Sequence, residues 1–361
     1  MPYLKLISVI FLTFAILGIA GFFLGNVNNS QPQETFTQDT AKLEEPPKPK
    51  IFSVIGVGDI MMGTNYPDAS SLPPNDGKNM LDSVAEILSS ADVTFGNLEG
   101  TLLNSGGTPK DCGDSEHCHS FRMPEHYAGH LKNAGFDMLS VANNHSGDMG
   151  PKGRKSTVNT LDEYGIKYAG YTTHPYTVFE KDGVRFGLAA FAPNNGTVPL
   201  NDHDNAVKII KELKSKCDIL IVSFHGGAEG SGASHVPKRR EIFLGEDRGN
   251  VYEFSRLVVD AGADIVFGHG PHVPRGMEIY KDRLIAYSLG NFCTYKKFGL
   301  SGILGIAPIL KVYVNDKGEY QKSEIISIKQ VKGGIPVIDS SNAAEKLVRK
   351  LSREDFGAGD F

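Results

Sequence analysis

The sequence has few cysteines and no excess of basic side chains. Its 361 residues include 4 Cys, too few for a fold that disulfide bonds hold together. The 37 basic and 42 acidic side chains give a net charge of −5, which excludes a strongly basic nucleic-acid-binding protein. With 40% hydrophobic and 22% charged residues the chain is not intrinsically disordered, and its length suffices for a large core.

One long apolar run stands near the beginning of the sequence. No charged side chain occurs from Leu6 to Leu24, about the length of a helix that crosses a bilayer. Because Gly21 to Leu24 makes a poor cleavage site, residues 1–25 are predicted to be an uncleaved signal anchor, with a cleaved secretory peptide as the alternative. Lys5 precedes the run, so both interpretations place the remaining chain outside the cytoplasm. No Cys follows the run as a lipid acceptor, and no Walker-type phosphate loop supports a cytoplasmic nucleotide enzyme.

The composition changes twice after the apolar run. Residues 26–50 are rich in Asn, Gln, Thr, Glu and Pro, which predicts a disordered linker. From residue 51 to residue 361, short β-branched runs alternate with helical patterns, which predicts one layered α/β domain with several parallel strands. The predicted strands are 52–57, 93–96, 138–142, 183–191, 218–224, 264–268, 284–288, 306–314 and 324–329, and the predicted helices are 80–90, 124–133, 152–164, 205–214, 251–261 and 342–351.

Polar side chains stand at the ends of six predicted strands. In parallel α/β sheets, ligands bind at the carboxyl ends of the strands, so these groups are expected to share one cleft. Each has an ordinary structural interpretation: Asp59 and Asn291 as turn or cap residues, His225 as a hydrogen-bonded histidine, Glu99 as part of a surface turn. Their joint occurrence favours a metal or catalytic centre. The residues are Asp59, Asn97, Glu99, Asn143, Asn144, His145, His225, His269, His272 and Asn291.

Two of these segments have informative spacing. In GHGPH, His269 and His272 lie three residues apart on a loop that glycines and a proline can turn tightly. In NNHSGD, the amide of Asn144 stands beside His145, and Asp148 follows three residues later. Such a carboxylate can orient an imidazole for acid chemistry.

Six motifs together resemble the CapA family, which is linked to poly-gamma-glutamate capsule biosynthesis and belongs to the calcineurin-like metallophosphoesterase superfamily. The resemblance runs from about Ile51 to Leu351. The motifs are GDIMMG (58–63), GNLEG (96–100), ANNHSGDMG (142–150), FHGG (224–227), GHGPH (268–272) and SLGNF (288–292).

The resemblance implies a four-layer α/β/β/α sandwich of metallophosphoesterase type, here behind an N-terminal transmembrane helix, with a two-metal centre between strand ends. By that resemblance Asp59 and His272 bind the first ion, and Glu99 bridges. Asn144, His225 and His269 hold the second ion. His145 is the acid that protonates the leaving oxygen, and Asp148 orients it. These nitrogen and oxygen ligands suit Mn, Fe or Zn, as one or two ions that activate water for hydrolysis.

The sequence also departs from the superfamily pattern. Met61 stands where the first motif, Asp-x-His, has a ligand histidine. GNLEG replaces Gly-Asp-x-x-Asp, and GHGPH is one residue longer than Gly-His-x-His. These departures are similar to the CapA pattern, and they leave open a single-metal site or hydrolysis of another kind of bond.

Other segments leave their alternatives open. Cys112 and Cys118 bracket a polar loop with His117 and His119, for which a local disulfide, free thiols or a small metal site are considered. Cys217 and Cys293 adjoin strands and are predicted to be buried thiols. The basic run 238–240 is a solvated face or a contact for an anionic polymer. The glycine-rich segment 226–232 is an active-site loop or a plain connection.

Two classes of function follow from these observations. The first is a membrane-anchored, extracytoplasmic metal-dependent hydrolase that acts on a phosphoester or an amide-linked anionic polymer. The second is a non-catalytic component of a membrane capsule-synthesis complex that binds the polymer for assembly or export. The partners expected are the anionic substrate, the membrane and other capsule-synthesis membrane proteins, and no nucleic acid.

Overall fold

The apolar β-branched runs of the sequence form the strands of this fold. The computed structural model describes residues 50–113, 118–357 and 361. The strands are β1 (Ile51–Met61), β2 (Val93–Leu98), β3 (Thr101–Leu102), β4 (Arg122–Met123), β5 (Met138–Ser140), β6 (Lys167–Ala169), β7 (Tyr176–Lys181), β8 (Val184–Phe191), β9 (Ile219–His225), β10 (Ile242–Phe243), β11 (Glu246–Asp247), β12 (Ile265–His269), β13 (Met277–Tyr280), β14 (Arg283–Ala286), β15 (Asn291–Thr294), β16 (Ile306–Asn315), β17 (Tyr320–Val331) and β18 (Ile335–Ile338).

Within the described residues, most of these strands belong to two large sheets. The first has the order β18-β17-β16-β1-β2-β5-β6, with β15 also paired to β1. Its strands β1, β2, β5 and β6 run parallel, whereas β16 to β18 are antiparallel. The second has the order β13-β14-β12-β9-β8-β7, and β14, β12, β9 and β8 run parallel. The expectation of an α/β fold with several parallel strands is confirmed.

The helices follow the predicted positions with one exception. They are α1 (Ala85–Leu88), α2 (Tyr127–Asn133), α3 (Gly150–Glu163), α4 (His203–Lys214), α5 (Val251–Ala261) and α6 (Ala343–Phe356). Asp202 caps α4 by accepting a hydrogen bond from the backbone N–H of Asn205, and Asn250 caps α5 in the same way. The prediction of a helix over 80–90 is wrong for its first half. There Asp82 accepts a hydrogen bond from the Asn79 side chain within a series of turns, which such residues favour over helix interiors.

The two sheets pack face to face with helices on their outer sides. Phe95 of β2 stacks on Phe267 of β12 across the space between the sheets, with ring centroids 5.5 Å apart. A second apolar cluster joins the first sheet to α1, α2 and α3, and a third joins the second sheet to α4 and α5. Helix α6 contacts β13 and β17, one strand from each sheet. The layers therefore run helix, sheet, sheet, helix.

The predictions for the N-terminal segments stay predictions. The signal anchor expected over residues 1–25, and the linker expected over 26–50 apart from residue 50, lie outside the described residues. Within the part of the chain that the structure describes, every helix is too short or too polar to cross a membrane.

The cysteine predictions fall mainly on described residues. Cys112 and Cys118 form a disulfide, as considered for the polar loop, although His117 within that loop is not described. Cys217 and Cys293 are buried free thiols, as predicted.

Strand register brings several predicted site residues side by side. Asp59 of β1 pairs with Asn97 of β2 and with Asn291 of β15. This close approach requires glycine at position 58, where a Cβ atom would lie 1.9 Å from the carbonyl oxygen of Gly290. The carboxyl ends of β1 and β2 thus form one side of a cleft.

Candidate metal centre

Two carboxylates and one imidazole meet where the two sheets face each other. Oδ2 of Asp59 lies 3.0 Å from Nδ1 of His272, and Oε1 of Glu99 lies 3.6 Å from Nε2 of the same ring. One ligand atom from each of the three residues lies within 4.8 Å of the others, and Asp59 and Glu99 are fully buried. His272 adopts a φ of 59°, a left-handed conformation that costs energy for a side chain with a Cβ atom. The three residues can hold one divalent cation.

The electrostatics of these three groups indicate that a positive charge is favoured between them. Burial, together with the negative charge of Asp59, raises the pKa of Glu99 well above its usual value. Burial opposes a charged imidazole, yet the carboxylates of Glu99 and Asp59 raise the pKa of His272 to about 10. Burial also opposes ionisation of Asp59, but the imidazoles of His269 and His272 hold its pKa below the ordinary range. A proton on His272 is therefore the charge that compensates these carboxylates.

Several buried ligand atoms lack hydrogen-bond partners among the described residues. They are both carboxylate oxygens of Glu99, Oδ1 of Asn144, both ring nitrogens of His225 and Nε2 of His269. A buried polar atom without a partner costs about 1–3 kcal/mol, so a cluster of them is unfavourable unless another group satisfies them. Imidazole nitrogens with carboxylate and amide oxygens are the donor set of Zn, Mn or Fe sites. The residues present therefore fit divalent cations.

Neighbouring strands align two of these imidazoles. His225 ends β9 and His269 ends β12, and the two residues are directly paired in register. Nδ1 of His269 lies 3.2 Å from Oδ1 of Asp59. This contact places His225 and His269 beside Asp59, Glu99 and His272. Burial holds the pKa of His225 well below its usual value, so this ring is neutral and able to bind a cation through a nitrogen lone pair.

His145 and Asp148 form a hydrogen-bonded pair beside these ligands. Oδ2 of Asp148 lies 2.8 Å from Nδ1 of His145, and the ammonium of Lys110 lies 2.8 Å from the other carboxylate oxygen. The imidazole stacks on Phe121 at a centroid distance of 4.1 Å. Burial lowers the pKa of His145, while Asp148 opposes this effect. With Nδ1 facing Asp148, Nε2 is the nitrogen free to exchange a proton.

Asparagines support the ligands. The side-chain amide of Asn97 donates a hydrogen bond to Oδ1 of Asp59 at 2.9 Å, and that of Asn143 donates to the Asn97 oxygen at 3.1 Å. Oδ1 of Asn291 lies 3.1 Å from Nδ1 of His272. These contacts orient Asp59 and His272, as partners of metal ligands commonly do.

A cavity of about 470 Å³ opens onto these residues. Its walls include Asn144, His145 and His272, which the sequence had indicated, together with residues for which sequence reasoning gave no role. Lys110 and Arg248 had no distinguishing pattern, and Glu229 was noted only within the glycine-rich segment whose role was left open. Met61, in contrast, lies fully buried in the apolar cluster on the outer side of the first sheet.

The structure contains a second, exposed group of metal-binding type. It consists of Asp76, His126 and His130, and Nε2 of His126 lies 2.7 Å from Oδ2 of Asp76. This group is separate from the cavity. An ion bound by this group would add to the number of ions measured per chain.

The comparison with known protein families agrees with this arrangement. The profile of the family described as bacterial capsule synthesis protein PGA_cap matches residues 53–296, which include all the ligands named above. The chain belongs to this family. The matched range also includes Glu229 and Arg248.

Two curated relatives carry names that refer to capsule or polymer biosynthesis. The capsule biosynthesis protein CapA of Bacillus anthracis is 30% identical over 256 residues, which are 65% of this chain and 58% of that protein. The PGA biosynthesis protein CapA of Bacillus subtilis (strain 168) is 29% identical over 262 residues, which are 67% of this chain and 63% of that protein. The chain thus spans about three fifths of the length of these relatives.

Solved structures show more distant likeness. A hypothetical protein of Thermus thermophilus superposes with a TM-score of 0.48 and 14% identity, over 77% of this chain and 100% of that chain. A putative 5'-nucleotidase of Staphylococcus aureus gives a TM-score of 0.43 and 13% identity, over 84% of this chain and 58% of that chain.

Proposed function

We propose that this chain is a metal-dependent hydrolase, anchored to the membrane and acting outside the cytoplasm, in the biosynthesis of an anionic capsule polymer such as poly-gamma-glutamate. Membership of the capsule synthesis family supports the biological role. The observation that carries the hydrolase proposal is the set of buried, unpartnered ligand atoms on Glu99, Asn144, His225 and His269. The bond cleaved is a phosphoester or an amide of the polymer.

The chain's own residues divide into two ligand sets. Asp59, Glu99 and His272 would hold one ion, and Asn144, His225 and His269 would hold a second beside it. When bound, such ions activate water and stabilise the negative charge that develops during hydrolysis. Asn97 and Asn143 keep the Asp59 carboxylate oriented through their chain of hydrogen bonds.

His145 is proposed to move the proton in this reaction. Asp148 fixes the ring so that Nε2 is free to give its proton to the leaving group. Because burial lowers its pKa, His145 is neutral in the free protein near pH 7. An anionic substrate close to the ring raises the pKa of the imidazole, so substrate binding itself charges the acid.

Turnover measurements with the full-length chain in detergent test the proposal. The protein is stripped with a chelator, reloaded with Mn, Fe or Zn, and assayed with bis-p-nitrophenyl phosphate and with poly-gamma-glutamate. We expect turnover that requires the ion and that falls by about 10²-fold or more in Glu99→Gln and in His145→Ala. Glu212→Gln on the exposed face of α4 is the matched control and keeps full turnover.

Two outcomes would contradict the proposal. Polymer binding without turnover under every metal condition would favour the non-catalytic assembly component. Recovery of the chain from the soluble fraction, with residues 1–25 still present, would contradict membrane anchoring. Deletion of residues 1–25 is expected to move the protein from the membrane fraction to the soluble fraction.

A further inference from the structure

Two histidines and one aspartate meet on the helical layer that covers the first sheet. Asp76 lies in a short turn (Pro74–Gly77), His126 directly precedes α2, and His130 lies within α2. The ligand atoms of these three residues lie within 4.8 Å of one another. None of the three lines the cavity at the candidate metal centre. The group is therefore a separate candidate site.

Helical spacing brings the two imidazoles to one side of α2. His126 has right-handed helical backbone angles, and His130 follows four residues later, about one turn further along the helix. Their ring centroids lie 5.9 Å apart. Another side of the helix packs into an apolar cluster through Tyr127, Ala128 and Leu131. Two histidines at this spacing on a helix can bind one metal ion together.

Asp76 contacts both of these rings. Its Oδ2 lies 2.7 Å from Nε2 of His126, although 50 residues separate the two along the chain, and its backbone carbonyl oxygen lies 2.9 Å from Nε2 of His130. A Cβ atom at Gly77 would lie 3.6 Å from Cδ2 of His130, so the turn packs directly against the helix. Hydrogen bonds thus hold the three residues together without an ion, and a cation binds by replacing the shared proton.

The ligand types and their exposure decide which ion fits. Two imidazoles with one carboxylate suit Zn²⁺ or Cu²⁺, whereas Ca²⁺ and Mg²⁺ take oxygen ligands. The side chains of Asp76 and His126 are 50% and 46% exposed, so both can adjust to the separation of about 3.4 Å between the ligand atoms of a tetrahedral Zn²⁺. Three protein ligands leave a fourth position for water.

We propose that Asp76, His126 and His130 form a second metal site, which binds a transition-metal ion of the zinc type and ties the turn at 74–77 to α2. The site is independent of the proposed hydrolase function, because it shares no ligand with the candidate metal centre. Its ion stabilises the helical layer, since a ligand that binds only the folded chain favours the folded state.

Zinc binding by the full-length chain tests this site without relying on activity. The chain is labelled with nitrogen-15 in its histidines, stripped with a chelator and titrated with Zn²⁺. We expect the ring-nitrogen signals of His126 and His130 to shift together, and to shift equally in Glu99→Gln. Calorimetry and plasma mass spectrometry are expected to show about one Zn²⁺ per chain fewer in His130→Asn, or an affinity for that ion weakened about 10-fold or more.

His235→Asn is the matched control. The side chain of His235 is 58% exposed, and its Nδ1 lies 2.7 Å from Oδ1 of Asp355, the same distance as in the pair of His126 and Asp76. Within the described residues, this control pair is not part of a group of three close ligands. We expect His235→Asn to bind Zn²⁺ like the original chain. Circular dichroism in chelator verifies each fold, and Asp76→Asn carries the test if His130→Asn does not fold.

Each negative result has a distinct meaning. Signals of His126 and His130 that stay in place when Zn²⁺ is added would overturn the site, as would an unchanged number and affinity of Zn²⁺ ions in His130→Asn. Equal weakening in His130→Asn and His235→Asn would also overturn it, because Zn²⁺ would then bind exposed histidines one at a time. Shifts confined to His126 and His130, with no ion at Glu99, would support this site and contradict the proposed function.

Discussion

Oδ2 of Asp59 lies 3.0 Å from Nδ1 of His272, although 213 residues separate them along the chain. Asp59 belongs to β1 of the first sheet, and His272 follows β12 of the second. The candidate metal centre therefore lies at strand ends of both sheets. Any ion bound there also links the two halves of the sandwich.

Removal of metal is expected to destabilise the fold. A ligand that binds only the folded chain adds about 2.7 kcal/mol to the free energy of unfolding at a concentration of 100 times its dissociation constant. Urea unfolding with Mn²⁺ and with a chelator measures this difference. Glu99→Gln should show a smaller response to Mn²⁺ than the original chain, and an unchanged midpoint in the original chain would argue against an ion between the sheets.

The stability of the metal-free protein is expected to fall as the pH rises from 6.5 to 9. The pKa of His272 is raised to about 10, so its proton stabilises the fold below pH 6.5 and this contribution is lost as the pH approaches 10. The raised pKa of Glu99 acts in the same direction. The slope is about 1 kcal/mol per pH unit, measured by urea unfolding in chelator. A flat or rising curve would contradict this account, and His272→Gln should reduce the slope.

Two variants are expected to move the pKa of His145 in opposite directions. Asp148 raises this pKa and Lys110 lowers it, against a background of burial that lowers it most. Asp148→Asn should therefore lower the pKa further, and Lys110→Met should raise it. Titration by nuclear magnetic resonance of labelled histidine measures both. Shifts of the same sign in the two variants would show that Asp148 and Lys110 do not set the pKa of His145.

The buried pair of Arg275 and Glu241 is expected to be a major contributor to stability. Its two hydrogen bonds measure 2.9 and 2.8 Å, and Glu241 also accepts one from the backbone of Ala228 in the glycine-rich segment. Glu241→Gln leaves a buried guanidinium without its counter-ion and should lower the free energy of unfolding by about 3–5 kcal/mol.

Urea unfolding measures how much Arg275 and Glu241 contribute to stability. Replacing both residues by leucine should recover part of the loss, because no charge is then left unpaired. Glu212→Gln, which affects an exposed ion pair, should leave the urea midpoint unchanged. An equally small effect in Glu241→Gln would contradict the importance of the buried pair.

The sequence predicted the alternating strands and helices and the strand-end residues because both depend on local patterns, whereas the four-layer arrangement was implied by the resemblance to a known family. Apolar runs marked β1, β9 and β12, and the polar residues Asp59, His225 and His269 at or near their ends marked the cleft. The helix over 80–90 was predicted too long, because its apolar spacing outweighed the turn-forming Asn79 and Asp82.

Contacts between distant segments could not be predicted in the same way. Arg248 and Lys110 carry no pattern in the sequence, and they reach the cavity only because loops from different parts of the chain meet there. The burial of Met61 in the apolar cluster, where Ile60 and Met62 also lie, likewise depends on contacts with distant segments.

The central claim is that Asp59, Glu99 and His272 hold a divalent ion. The metal-to-protein ratio of the full-length chain, purified with Mn, Fe and Zn available, tests it by plasma mass spectrometry. Glu99→Gln is measured in parallel, and His130→Asn accounts for any ion in the exposed group of Asp76, His126 and His130. We predict at least one ion per chain that is lost in Glu99→Gln and kept in His130→Asn. A folded chain without an ion, or a metal-to-protein ratio that Glu99→Gln leaves unchanged, would contradict the account.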